Sequence, residues 1–118
     1  MELSLRVESK FAVDDAGLLK RFIAKQNLEG LHQIELERSI HQPGEQGLGK
    51  LLGTVLVNLS DSLNVFKEFL TQLNMFAMKY DRRIHLGPDI VIPTNKLTGE
   101  QIERIAIEAT RKFNGKTE

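Results

Sequence analysis

At 118 residues the chain is sized for one domain with a real hydrophobic core and is too short for two. Sixteen basic side chains balance sixteen acidic ones, so the basic excess that marks nucleic-acid binders is absent and no nucleic-acid partner is expected. With no cysteine, disulfides, thiolate metal sites and cysteine nucleophiles are excluded.

The segment Met1 to Leu5 reads as a strand rather than a targeting leader. The longest apolar-rich stretch, Leu51 to Leu59, contains Gly53, Thr54 and Asn58 and falls well short of the roughly 20 residues a membrane span requires. A cytoplasmic protein with no membrane partner is the expectation. Lys79, Arg82 and Arg83 form a local basic group, read as the solvated end of a helix.

From Glu2 to Glu8 the alternation is strict: Leu3, Leu5 and Val7 share one face, and Glu2, Ser4, Arg6 and Glu8 the other. That pattern predicts a strand buried on one side only. Asp14 and Asp15 supply helix-start signals for a helix to about Gln26, with Leu18, Leu19, Phe22 and Ile23 inward and Asn27 or Gly30 ending it. A second strand follows from about Leu31 to Ser39, with His32, Ile34 and Leu36 in one phase and Glu35 and Glu37 in the other. From Gly47 the period changes. Leu48, Leu51, Leu52, Val55, Leu56 and Leu59 fall at helical spacing and predict a helix with a core stripe.

A break at Asn58 to Asp61 places the cap of the next helix at Ser60 or Asp61. That helix runs to about Tyr80 and turns Phe66, Phe69, Leu70, Leu73, Phe76 and Ala77 inward. Two short β-rich runs then flank Gly87-Pro88-Asp89, which reads as a tight hairpin, with a single bent strand as the alternative. Thr98 with Gln101 resembles a capping box for a final helix whose inner face is Ile102, Ile105, Ala106, Ala109 and Phe113. The architecture expected is α+β: one two-layer domain over residues 1–118, with a small sheet of three or four strands. Helices lie mainly on one face, in the order β-α-β-α-α-β-β-α.

The stretch Gly44 to Lys50 nearly spells a phosphate-binding loop, with Gly44, Gly49 and Lys50 in the required places. Glycines let backbone amides close round an anion, and a helix N-terminus adds favourable partial charge. Position 51 is Leu, however, so the hydroxyl that should hold Mg²⁺ is missing. The preceding strand is also amphipathic, whereas strands before such loops are buried on both faces. The preferred reading is a structural turn at Pro43-Gly44, with no cofactor. Anion or nucleotide binding through Gly44, Gly47, Gly49 and Lys50 is the alternative.

His32, His41 and His85 lie in three separate segments, and no metal site is expected. His32 shares the phase of Ile34 and Leu36 and reads as a core residue at a strand end. Glu35 and Glu37 could pair for acid/base work, although an exposed polar sheet face explains them more simply. No serine has nucleophile-elbow spacing, so no catalytic residue is assigned and the chain is read as a non-enzyme.

The order of parts resembles a known family. A short strand (Leu3, Leu5, Val7) precedes an acidic-capped helix, a turn at Leu28-Glu29-Gly30, a strand, and the loop Pro43-Gly44-Glu45-Gln46-Gly47. A Leu-rich helix, a second helix, a strand pair and a closing helix complete the pattern. This is similar to the effector-associated constant component family of bacterial conflict (immunity) systems. The resemblance implies a small non-enzymatic adaptor or regulatory component that binds a variable effector such as a protease or caspase-like enzyme. The candidate interaction surfaces are the wet sheet face (Arg6, Glu8, Glu35, Glu37), the central loop (Pro43, Gly44, Glu45) and an exposed sheet edge. Pairing through such an edge would also give a homo-dimer.

Overall fold

The alternation of the first residues builds a strand, β1 (Glu2–Val7), that buries Leu3, Leu5 and Val7 and leaves Glu2, Ser4 and Arg6 outward. The structure is a computed structural model and describes residues 1–38 and 51–114. Helix α1 (Ala12–Lys25) follows, with Asp14 and Asp15 in its first turn. The Ser9 hydroxyl accepts from the Phe11 N–H at 3.0 Å just before it. Ala16, Leu19 and Ile23 are its buried residues, with Leu18 and Phe22 partly covered. The left-handed backbone of Asn27 and Gly30 then turns the chain into β2 (Leu31–Arg38).

The segment from Leu51 to Leu59 is a strand, β3, and not the helix that its leucine spacing predicts. Val55, Val57 and Leu59 point into the core, while Leu56 and Asn58 are half-exposed on the other side. Three physical facts favour the strand. Thr54, Val55 and Val57 are β-branched and stiff at χ1, which suits a pleated surface. Both edges of β3 find partners, β1 on one side and β2 on the other, so its backbone hydrogen bonds are completed within the sheet. Gly53 has φ +79°, a left-handed conformation that a helix cannot contain.

The rest follows the sequence closely. Helix α2 (Leu63–Tyr80) fully buries Phe66, Phe69, Leu70, Leu73, Phe76 and Ala77. Each large apolar side chain so buried contributes on the order of 1.5–3 kcal/mol. Its cap is Ser62, which accepts from the Val65 N–H at 3.4 Å, rather than Ser60 or Asp61. Strands β4 (Ile84–Leu86) and β5 (Ile90–Ile92) form the tight hairpin across Gly87-Pro88-Asp89. Helix α3 (Gly99–Asn114) begins with the reciprocal capping box: Thr98 Oγ1 accepts from the Gln101 N–H, and Gln101 Oε1 from the Thr98 N–H.

The sheet therefore has five strands, not three or four, in the order β2-β3-β1-β4-β5, and every neighbouring pair is antiparallel. The element order is β-α-β-β-α-β-β-α. Its first six elements form the split β-α-β arrangement of ferredoxin-like domains, extended by β5 and α3. The helices cover one face, as the one-sided alternation of the strands requires. Between α1 and α2, Phe22 meets Phe76 edge-on at 5.5 Å, and within α2 Phe76 meets Tyr80 at 4.7 Å.

One polar side chain is built into this core. Asn74 of α2 is buried and donates to the carbonyls of Pro93 (3.3 Å) and Asn95 (3.0 Å) while accepting from the Leu97 N–H (3.0 Å). It thereby pins the β5–α3 connection onto α2 and seats Leu97 in the core. No helix among the described residues is long and apolar enough to cross a membrane.

Candidate interaction surface

Directly opposed residues in an antiparallel pair share a face, so the strand register places every outward side chain. One row across the sheet is Gln33, Asn58 and Glu2. The next is Glu35, Leu56 and Ser4, and the third is Thr54, Arg6, His85 and Val91. These rows make the side of the sheet that no helix covers. Ser4, Gln33, Glu35, Leu56, Asn58 and Pro88 line a shallow hollow of about 440 Å³ there.

Glu8, just past the end of β1, is the best-held charged group on this face. Its carboxylate accepts from Arg83 at 2.5 Å and from His85 Nε2 at 2.8 Å. The His85 hydrogen bond, and after it Arg83, holds the Glu8 carboxyl below its ordinary range. The three side chains remain solvent-accessible and tie the end of β1 to the start of β4. Arg6 sits beside them, opposite His85 and Thr54, with no ion-pair partner among the described residues.

Glu35 lies opposite Leu56 and accepts from the Gln33 amide at 3.2 Å. Glu37 falls where the β2–β3 register shifts, between Leu36 and Arg38, and borders a second hollow at the sheet edge that Glu35 and Leu56 also line. His32 is exposed and not a core residue, because a register shift between Leu31 and Gln33 takes it out of phase with Ile34 and Leu36. Pro43, Gly44, Glu45, Gly47, Gly49 and Lys50, like His41, lie outside the described residues.

Lys79, Arg82 and Arg83 do not act as one basic patch. Lys79 stands over the Phe22 and Tyr80 rings, Arg82 pairs with Asp15 at 3.5 Å, and Arg83 is taken by Glu8.

Leu56, Asn58 and His85 belong to the face, but sequence reasoning missed them. The signal for the first two was present, since Val55, Val57 and Leu59 alternate with Thr54, Leu56 and Asn58. The contacts of His85 and Arg83 with Glu8 bridge more than seventy residues of chain and leave no local trace. Comparison with family models, with curated proteins and with solved structures gave no match.

Proposed function

We propose that this chain is a non-catalytic docking module, an adaptor or regulatory component that binds an effector protein through the uncovered face of its sheet. The observation that carries this reading is the composition of that face. Hydrogen-bonding and charged side chains from all three rows (Arg6, His85, Glu35, Asn58) stand around one half-exposed leucine, Leu56. A small apolar centre within a polar rim is the anatomy of a non-obligate protein interface. The resemblance to the effector-associated constant component family supplies the setting, a bacterial conflict system with a protease or caspase-like effector. The strand β3 stands where that resemblance expects a helix, so the surface rather than the element pattern supports the proposal.

The test is co-purification with a protease or caspase-like protein sought among those encoded beside this one, comparing Leu56→Asp and Arg6→Glu with Ile107→Asp on the exposed side of α3. Loss of the complex in the first two variants and its retention in the third supports docking on the sheet face. Equal binding by all three, each folded by circular dichroism, sinks the reading.

A further inference from the structure

The hollow at Leu56 has a neighbour on the uncovered face. This neighbour, of about 400 Å³, lies at the C-terminal end of β1 and is lined in part by Arg6, Glu8, Ser9 and His85. Gly87 and Pro88 border both hollows, so a chain resting over Leu56 can continue into the neighbour without leaving the face.

Arg6, Glu8 and His85 are the titratable side chains that line it. Glu8 is already committed, since one carboxylate oxygen accepts from Arg83 and the other from His85 Nε2. Arg6, two residues earlier on β1, is left without an ion-pair or hydrogen-bond partner among the described residues. The Ser9 hydroxyl accepts from the Phe11 N–H, and its own proton remains to be donated. Apart from His85 Nδ1, the side-chain groups left over are therefore donors, the guanidinium N–H groups and the serine O–H. Such a set takes an anion. With His85 neutral and Glu8 balancing Arg83, the surplus is the single charge of Arg6. A carboxylate matches it and can accept two parallel bonds from the guanidinium, whereas a phosphate monoester would bring ~1.5 to 2 negative charges beside Glu8.

The register fixes where that anion stands relative to the apolar centre. Leu56 is opposite Ser4, and Arg6 is the next outward residue of β1. A strand spacing of ~4.8 Å and an outward step of ~6.8 Å put the Cα atoms of Leu56 and Arg6 about 8 Å apart. Side chains two positions apart on an extended chain face the same way and are ~6.8 Å apart, close to that separation. On the other side of Leu56 are Glu35, its neighbour on β2, and Glu2, one outward step before Ser4. Both repel a carboxylate, so a segment laid across the face has a fixed polarity, with its acidic end on Arg6.

We propose that the hollow at Arg6 takes the carboxylate of an aspartate or glutamate of the partner protein. That residue belongs to an extended segment whose apolar side chain, two positions away, rests on Leu56. The proposal rests on reading this face as a docking surface and gives the partner its chemistry.

Amide NMR titration of the isotopically labelled chain with blocked synthetic pentapeptides tests this. The reference peptide carries leucine and aspartate two positions apart in a threonine background, and two others carry asparagine or phosphoserine in place of the aspartate. The aspartate peptide is expected to shift the amides of Arg6, Ser9 and Leu56 saturably, with a Kd on the order of millimolar. The asparagine peptide should bind about fivefold more weakly, the upper end for an exposed ion pair. In Arg6→Gln, with its fold checked by its own spectrum, the aspartate and asparagine peptides should bind alike. The proposal is overturned by the absence of saturable shifts at about ten times the expected Kd, by equal binding of the two peptides to wild type, or by tighter binding of the phosphoserine peptide. Co-purification judges the docking reading separately. Loss of the partner in Leu56→Asp with retention in Arg6→Gln keeps the docking face and overturns the carboxylate site; loss in both supports both, and loss in neither removes both.

Discussion

Replacing Gly53 by alanine separates the observed strand from the helix that the leucine spacing predicts, because the two give opposite signs. In the middle of a helix, Gly→Ala stabilises by about 1 kcal/mol. In β3, Gly53 has φ +79°, a region that costs a residue with a Cβ roughly 1–2 kcal/mol. The new Cβ would also lie 3.1 Å from Ala12 Cβ and 3.3 Å from the Ala12 carbonyl carbon, because the first turn of α1 rests on the sheet there. That contact adds a further fraction of a kcal/mol up to about 1, depending on how far α1 can shift. The expected loss is therefore about 2 kcal/mol, read as a lower urea midpoint at unchanged slope, or a fall in Tm of about 6–10 °C. Measured against Ala12→Gly alone, Gly53→Ala in that background should lose less stability, because the contact with the Ala12 Cβ is gone while the backbone part remains. Unchanged or increased stability in Gly53→Ala would refute the strand geometry assigned to this segment.

Two further outcomes follow from single side chains. Asn74→Leu keeps most of the volume but strands the Leu97 N–H and two carbonyls, so about 2–3 kcal/mol should be lost and the Leu97 amide should exchange faster with solvent; a loss below ~0.5 kcal/mol would mean the linker is held some other way. Glu8 has its carboxyl pKa depressed in the folded state by His85 and Arg83. Its contribution is therefore present above the ordinary carboxylate pKa and is lost as pH falls through the lower folded value. The Tm difference between wild type and Glu8→Gln should accordingly hold near neutrality and close below about pH 4; a difference that widens on acidification contradicts the pairing.

Most of the fold was legible because most elements have one apolar face. β1, α2 and the capping box of α3 state their period and their ends in the side chains themselves. β3 did not, because apolar residues stand on both of its faces. Leu52 is exposed and Leu56 half-exposed, and together with Leu51, Val55 and Leu59 they imitate a helical stripe. Once leucines occupy the outer side of a strand, the period of two is masked and only the β-branched Thr54, Val55 and Val57 still betray it. The error at His32 has a different cause, since a register shift is a property of two strands and not of either one. On the candidate surface, Arg6, Glu8 and Glu35 were found by alternation alone. Their partners depend on which strands are neighbours, and that information is non-local.

The place of β1 in the sheet also bears on how the protein is made. It precedes both of its partners in the chain, yet it lies at the centre of the sheet, between residues 54–58 and 84–86. Each of its ladders closes a long loop, a topology associated with slower folding. Until β4 emerges, β1 has one row of backbone groups unpaired. The nascent chain thus carries an open, alternating strand until residues 84–86 have emerged, the kind of edge that invites pairing with other chains. Ser4, Arg6 and Glu8, polar on the side that stays wet in the finished protein, keep that strand soluble while it waits.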